Sequence, residues 1–270
     1  MEKNLKDIFV DQIVSTLEKN RDSLKKMFTK KNVKHFYVDD LIDISLAKKI
    51  SDAFPADKKN LMTRKTLREN KTVGIKMSNY DQILSDITYA FHHQKVIDVI
   101  SSITNMPDMH ADNDLYAAGL SMMSKGNFLN PHLDNSHNME RSRYRALNLL
   151  FYCTENWNIS NGGNLELWHK GPKLNQEIIF AKFNRLVVMK TDLNSWHSVS
   201  EVTSDDSRNC ISNYYFTNYS PDSSDYAHVT SFRGRPEQFF RDILLRLDSF
   251  ARSSIRYFYK KQHTKHIKKE

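Results

Sequence analysis

The sequence predicts an α+β chain in which helical segments flank a β-unit of the sandwich or jelly-roll kind. Three observations carry this. Apolar residues recur at helical spacing through most of the first 114 residues. From 115 to 220 the pattern changes to short apolar or alternating runs cut by Gly, Asn, Asp, Ser and Pro, as in antiparallel sheets. Beyond Pro236 a helical period returns. The expected division is therefore a mainly helical extension packing on the core (1–114), a β-core (115–220), and a basic amphipathic helix with a tail (221–270).

From Asn4 to about Lys30, the spacing of Ile8, Val10, Ile13, Val14, Leu17 and Leu24 predicts one helix. Phe36 to Val38 reads as a short strand, followed by a turn and a helix that stops before Pro55, because proline disfavours helical geometry in the residue preceding it. A basic, polar loop comes next. One strand and two helices then follow, the helices marked by Ile83, Ile87, Phe91, Val96 and Ile100. In the β-core, the runs "LYAAGLSMM", "YRALNLLFYCT", "NLELWH", "EIIFAKF", "RLVVMKT", "HSVSEV" and "CISNYYFTNY" are the expected strands, with "ISNGGN" and "KFNR" supplying tight turns. The last helix has a stripe, Phe240, Leu244, Leu247 and Ile255, expected to pack on the β-unit and not on a membrane.

At 39% hydrophobic and 27% charged residues, the composition is that of a globular protein and excludes a disordered one. No run of about 18 apolar residues occurs, and the start "MEKNLKDIFVDQIV" lacks the basic-then-apolar pattern of a secretory signal, so the expected compartment is the cytoplasm. Cys153 and Cys210 sit in apolar, strand-like sequence and read as buried thiols. The net charge of +8 is concentrated in the two flanks, while the middle of the chain is net acidic. Solvated helical surfaces account for that charge, and no aromatic-basic stacking pattern supports a nucleic-acid partner.

The stretch "NPHLDNSHNMER", residues 130–141, holds the chemistry. His132 and Asp134 are two positions apart, a spacing that turns both side chains to one side of a strand edge. His197, in "NSWHSVSEV", supplies a third donor from another strand of the same unit. Two histidines and one carboxylate form the facial set that leaves adjacent positions open on Fe(II). Arg208, on the next strand, offers a guanidinium fork suited to a carboxylate such as the distal acid of 2-oxoglutarate. His137 falls outside the two-residue spacing and reads as part of a surface lid. His35, His92, His93 and His110 have no partner spacing that points to a ligand set. Asn148 shares a face with Tyr152, Leu150 and Ala146 by alternation, and either Arg143 or Arg145 supports Asp134 or the substrate.

The pieces "GNFLNPHLDN", "YRALNLLFYCTENW", "NGGNLELW", "FNRLVVMKTDLNSWHSVSEV" and "SRNCISNYYFT" resemble, in order and spacing, the Fe(II)- and 2-oxoglutarate-dependent dioxygenases of the prolyl 4-hydroxylase type, closest to bacterial members with a helical amino-terminal extension. The resemblance runs from about Phe36 to Phe232. It implies a double-stranded β-helix core, with His132, Asp134 and His197 as iron ligands and catalytic centre. Arg208, Tyr152 and Ser212 would bind 2-oxoglutarate. Cys210 departs from the serine many relatives carry there. The implied reaction consumes O2 and 2-oxoglutarate, releases succinate and CO2, and hydroxylates an unactivated C–H bond, ascorbate being supportive. A carboxylate at Asp134 disfavours halogenation, since halogenating relatives have a small residue there. The substrate is expected to be a prolyl or other amino-acid-type group or a small molecule, with Arg233 and Arg235 at the cavity rim favouring an acidic one. The alternative is a non-catalytic jelly-roll metal-binding or scaffold protein.

Overall fold

The computed structural model describes residues 3–57, 59–115, 118–222 and 224–252. The long helix expected at the start divides at Asn20 into α1 (Leu5–Lys19) and α2 (Arg21–Thr29). Asn4 caps the start of α1 by accepting from the Asp7 amide, and the Asn20 side chain donates back to the Thr16 carbonyl, closing the helix. Phe9, Val10, Ile13 and Leu17 bury the apolar face of α1. Then come β1 (His35–Val38) and α3 (Ile44–Asp52), which starts where the Asp43 carboxylate accepts from two backbone amides.

The polar stretch expected to be a loop contains β2 (Met62–Lys65), which forms a hairpin with β3 (Glu69–Gly74), the strand expected near "KTVGIKM". All four residues of β2 are exposed, so no apolar alternation marks it; pairing to β3 defines it instead. Helices α4 (Gln82–Ala90) and α5 (Gln94–Thr104) fall where the periodicity places them. After β4 (Met109–Ala111), the β-core supplies β5 (Gly119–Met123), β6 (Phe128–Leu133) and β7 (Tyr144–Tyr152). It continues with β8 (Leu165–Leu167), β9 (Glu177–Ile179), β10 (Arg185–Lys190), β11 (His197–Val199) and β12 (Arg208–Thr217). The two-residue β13 (Ser231–Phe232) closes against β6.

All pairings are antiparallel, and the strands curl as one sheet in the order β1-β10-β7-β12-β5-β3-β6-β11-β8-β9, with β2, β4 and β13 attached at β3, β12 and β6. The result is a jelly-roll core of the expected kind. Strand β10 shows how alternation builds it: Leu186 and Val188 join the cluster packed with the helices, while Val187 and Met189 join the interior cluster with Tyr152, Leu165 and Val199. Each such side chain, fully buried, contributes about 1.5–3 kcal/mol. Strands β1 and β3 come from the first 114 residues, so that part contributes to the sheet as well as covering it.

The last helix, described from 239 to 252, is turned differently from expectation. Phe240, Leu244 and Leu247 are exposed, as are Phe239 and Phe250, while Leu245 is buried. Ile255 and the terminal tail lie outside the described residues. The orientation has an electrostatic cause. Arg233 grips Asp242 with both Nε (2.6 Å) and Nη2 (2.9 Å), and the Ser249 hydroxyl accepts from the Phe232 amide, so the polar face of the helix is drawn to the body. Among the described residues no helix is long and apolar enough to cross a membrane. Cys153 and Cys210 are buried free thiols.

Candidate metal centre

His132 on β6 and His197 on β11 stand directly opposite each other in the antiparallel register, their ring centroids 4.0 Å apart. Asp134 follows the end of β6. Its Oδ1 lies 3.6 Å from His132 Nε2 and its Oδ2 lies 3.7 Å from His197 Nε2. One donor atom from each of the three residues lies within 4.8 Å of the others, the only such group of three among the described residues.

The backbone sets which nitrogen faces the group. His132 Nδ1 donates to the Asn130 carbonyl (3.0 Å) and His197 Nδ1 to the Ser195 carbonyl (2.9 Å), which leaves both Nε2 lone pairs turned inward. Burial, aided by the neighbouring His197, pushes the His132 pKa down to about 3, so its ring is neutral. Phe232 of β13 stacks on the His132 ring at 5.1 Å and holds its plane.

Burial alone would favour a neutral Asp134. Arg145 overrides this: its Nη1 lies 3.4 Å from Asp134 Oδ2 and holds the carboxyl well below the ordinary carboxylate range. The structure thereby separates the two arginines the sequence left open, Arg145 being buried against the site while Arg143 is half-buried outside it. The cause is a bulge. On β12, Tyr215 pairs with Leu147 and Phe216 with Arg145, so Ala146 is an extra residue and the alternation reverses. The expectation that Ala146 shares the face of Asn148, Leu150 and Tyr152 is corrected: Ala146 packs into the helix-facing core, and Arg145 takes its place beside the other three. Its guanidinium lies 4.0 Å over the Tyr214 ring.

These residues line a cavity of about 260 Å³ that also contains Arg208 and Ser212. Arg208 is buried, its Nη2 2.6 Å from the Met123 sulfur and its Cζ 5.6 Å from the centre of the Tyr152 ring. Gly163, at φ +65°, lets the chain pass beside it; a Cβ there would stand 3.1 Å from Arg208 Cγ. Tyr152, Ser212 and Asn148 line the same space.

Other candidates are placed elsewhere. His137 bridges to Tyr144, whose ring lies tilted against its own at 4.3 Å, outside the cavity. The expectation that Arg233 and Arg235 form the rim is corrected. Arg233 is committed to Asp242, and Arg235 to the buried Glu166 (2.7 Å) and the Val199 carbonyl (3.1 Å); neither lines the cavity. Its exposed end is lined instead by Arg64, Arg68 and Lys71 of the β2–β3 hairpin and by Arg252. Sequence reasoning missed these and Phe232.

The group fits a divalent ion on chemical grounds. Two imidazoles and one carboxylate converge, and Asp134 Oδ2 is buried without a hydrogen-bond partner. The Arg208 Nε is likewise buried and unpartnered, which suits an incoming carboxylate.

Comparison with known proteins agrees. The family model of the 2OG-Fe(II) oxygenase superfamily matches residues 118–216. No match was found among curated proteins. The fold is similar to that of a Pseudomonas putida prolyl 4-hydroxylase (TM-score 0.52, 12% identity, covering 73% of this chain and 99% of that one). It is also similar to prolyl 4-hydroxylases from Phytophthora capsici (TM-score 0.52, 15% identity, 91% and 77%). A 2OG-Fe(II) oxygenase family oxidoreductase from Burkholderia pseudomallei is a third (TM-score 0.54, 10% identity, 74% and 92%). At these identities the structures establish the fold, and over residues 118–216 the chain is similar to the 2OG-Fe(II) oxygenase superfamily, the dioxygenases that work with Fe(II), 2-oxoglutarate and O2.

Proposed function

We propose that this enzyme hydroxylates an unactivated C–H bond of an amino-acid-type or small-molecule substrate, coupled to conversion of 2-oxoglutarate and O2 into succinate and CO2. One observation carries the reading: the convergence of His132, Asp134 and His197 in a cavity that also holds the buried guanidinium of Arg208. A structural metal site needs neither an open face nor a carboxylate clamp, which speaks against a non-catalytic scaffold.

His132, Asp134 and His197 would hold Fe(II), which when bound supplies the oxygen activation that no side chain provides. Arg208 would take the distal carboxylate of 2-oxoglutarate, with Tyr152 and Ser212 beside it. Arg145 keeps Asp134 ionised and oriented. Because a carboxylate fills that ligand position, hydroxylation is favoured over halogenation. Val199, Leu129 and Phe232 add apolar surface to the cavity that holds the triad, which limits the access of water to the reacting centre.

Purified protein given Fe(II), ascorbate and 2-oxoglutarate tests this. Slow substrate-free succinate formation is expected, and its loss in folded His132→Ala and Asp134→Ala. Wild-type protein that loads iron yet neither binds nor consumes 2-oxoglutarate contradicts the proposal.

A further inference from the structure

The exposed end of the cavity has a composition that the reaction chemistry does not require. Arg64, Arg68, Lys71 and Arg252 all line it, and their side chains are 46%, 33%, 22% and 26% exposed, against 5% for His132. Two carboxylates partly offset them. Glu69 is shared by Lys71 (3.0 Å) and Arg64 (3.8 Å), and Asp248 by Arg252 (3.0 Å) and Arg68 (3.6 Å). With each carboxylate divided between two cations, the rim keeps two positive charges in excess. Filling the deeper site does not reverse the sign. A divalent ion and the Arg145 and Arg208 guanidinium groups outweigh the Asp134 carboxylate and a dianionic 2-oxoglutarate.

The rim is also held in place. The Asn130 amide donates to the Arg68 carbonyl (3.0 Å) and the Asn130 side chain to the Leu67 carbonyl (2.9 Å). Asn130 is the residue whose carbonyl orients His132, so the hairpin turn and the first histidine are tied to one point. Asn70 adds a bond to the Gly126 carbonyl (3.0 Å). Val73, Leu129, Val199 and Phe232 contribute apolar surface to the same cavity. Cations fixed at the exposed side of a cavity that also offers apolar surface hold a molecule by its charged end and leave its hydrocarbon part to pack further in.

We infer that the substrate carries an anionic group, phosphate or carboxylate, which the Arg64–Arg68–Lys71–Arg252 rim holds while the apolar part of the molecule reaches the triad. This rests on the proposed hydroxylase function and names the class of its substrate.

Anaerobic protein loaded with Fe(II) and saturating 2-oxoglutarate is titrated calorimetrically with phenyl phosphate, phenylacetate and neutral benzyl alcohol. At least one anion is expected to bind, the alcohol at least about tenfold more weakly, and affinity is expected to fall with added salt. The anion that binds better identifies phosphate or carboxylate as the group recognised. The double variant Arg64→Glu with Lys71→Glu is expected to weaken anion binding at least about tenfold, as is the milder Arg64→Gln with Lys71→Gln, whose thermal unfolding confirms the fold. Anions that bind no better than the alcohol overturn the inference. So does binding that the variants leave unchanged, or a rim whose reversal weakens only 2-oxoglutarate. If the wild-type protein fails to load iron and 2-oxoglutarate, the hydroxylase reading fails, and the same titrations on metal-free protein still read the rim.

Discussion

Arg145 Nη1 stands 3.4 Å from Asp134 Oδ2, and a β-bulge at Ala146 is what brings it there. The pair is buried, so removing one partner leaves a charge without compensation. Arg145→Met is expected to cost the metal-free protein about 3 kcal/mol. A bound divalent ion neutralises the same carboxylate, so thermal unfolding should show a smaller loss with metal than without. Equal losses in both states would assign Arg145 a purely structural role.

Arg208 and its neighbour Gly163 give a second prediction. Replacing Arg208 with Gln removes a charge-assisted, two-pronged partner, and the KM for 2-oxoglutarate should rise by about 10–100-fold while iron affinity stays nearly constant. Gly163→Ala places a methyl group 3.1 Å from Arg208 Cγ and 3.1 Å from Val202 Cγ2, at a positive φ. It should raise the same KM in the same direction. Metal and 2-oxoglutarate titrations of the two variants separate these effects.

Gly162 is less tolerant than its neighbour. A Cβ there would meet the Glu201 carbonyl oxygen at 1.8 Å, a backbone atom that cannot swing away. Gly162→Ala should therefore lower stability by about 3 kcal/mol or more, and denaturant unfolding measures it.

The pH dependence of the metal-free protein follows from His132. Its folded pKa, about 3, lies below the ordinary 6.5, so the unfolded chain binds the proton more readily between those values. Stability is complete above about pH 6.5 and falls as pH drops through the window, by at most about 1.4 kcal/mol per unit from this residue. His132→Gln should flatten that slope in denaturant titrations at pH 7 and pH 5.

The parts of the site that were legible are those set by chemistry and short spacing. His132 and Asp134 two apart, a strand-borne His197 and an arginine on the next strand stand out in the sequence, and the fold brings all four to one cavity. Arg145 could not be told from Arg143, since the choice depends on how many residues of β7 oppose one of β12, and a bulge leaves no mark on hydrophobic alternation. The β2–β3 hairpin was hidden for a related reason. "TRKTLRENKT" has no apolar alternation; β3 forms through ladders to β5 and β6, and β2 through its pairing to β3. The final helix was legible as a helix, but the side it buries is set by Arg233 and Asp242, whose pairing periodicity does not encode. The jelly-roll class was legible because many short strands punctuated by turn residues leave few alternatives.

The central claim is that His132, Asp134, His197 and Arg208 form one working site for Fe(II) and 2-oxoglutarate. Anaerobic titration of the Fe(II)-loaded protein with 2-oxoglutarate, followed by the visible charge-transfer absorption of the iron–keto-acid chelate, tests it most directly. A saturable band is predicted in wild-type protein, absent in His132→Ala and Asp134→Ala and needing at least about tenfold more 2-oxoglutarate in Arg208→Gln. Folded, iron-loaded wild-type protein without the band, or triad variants that keep it, would contradict the account.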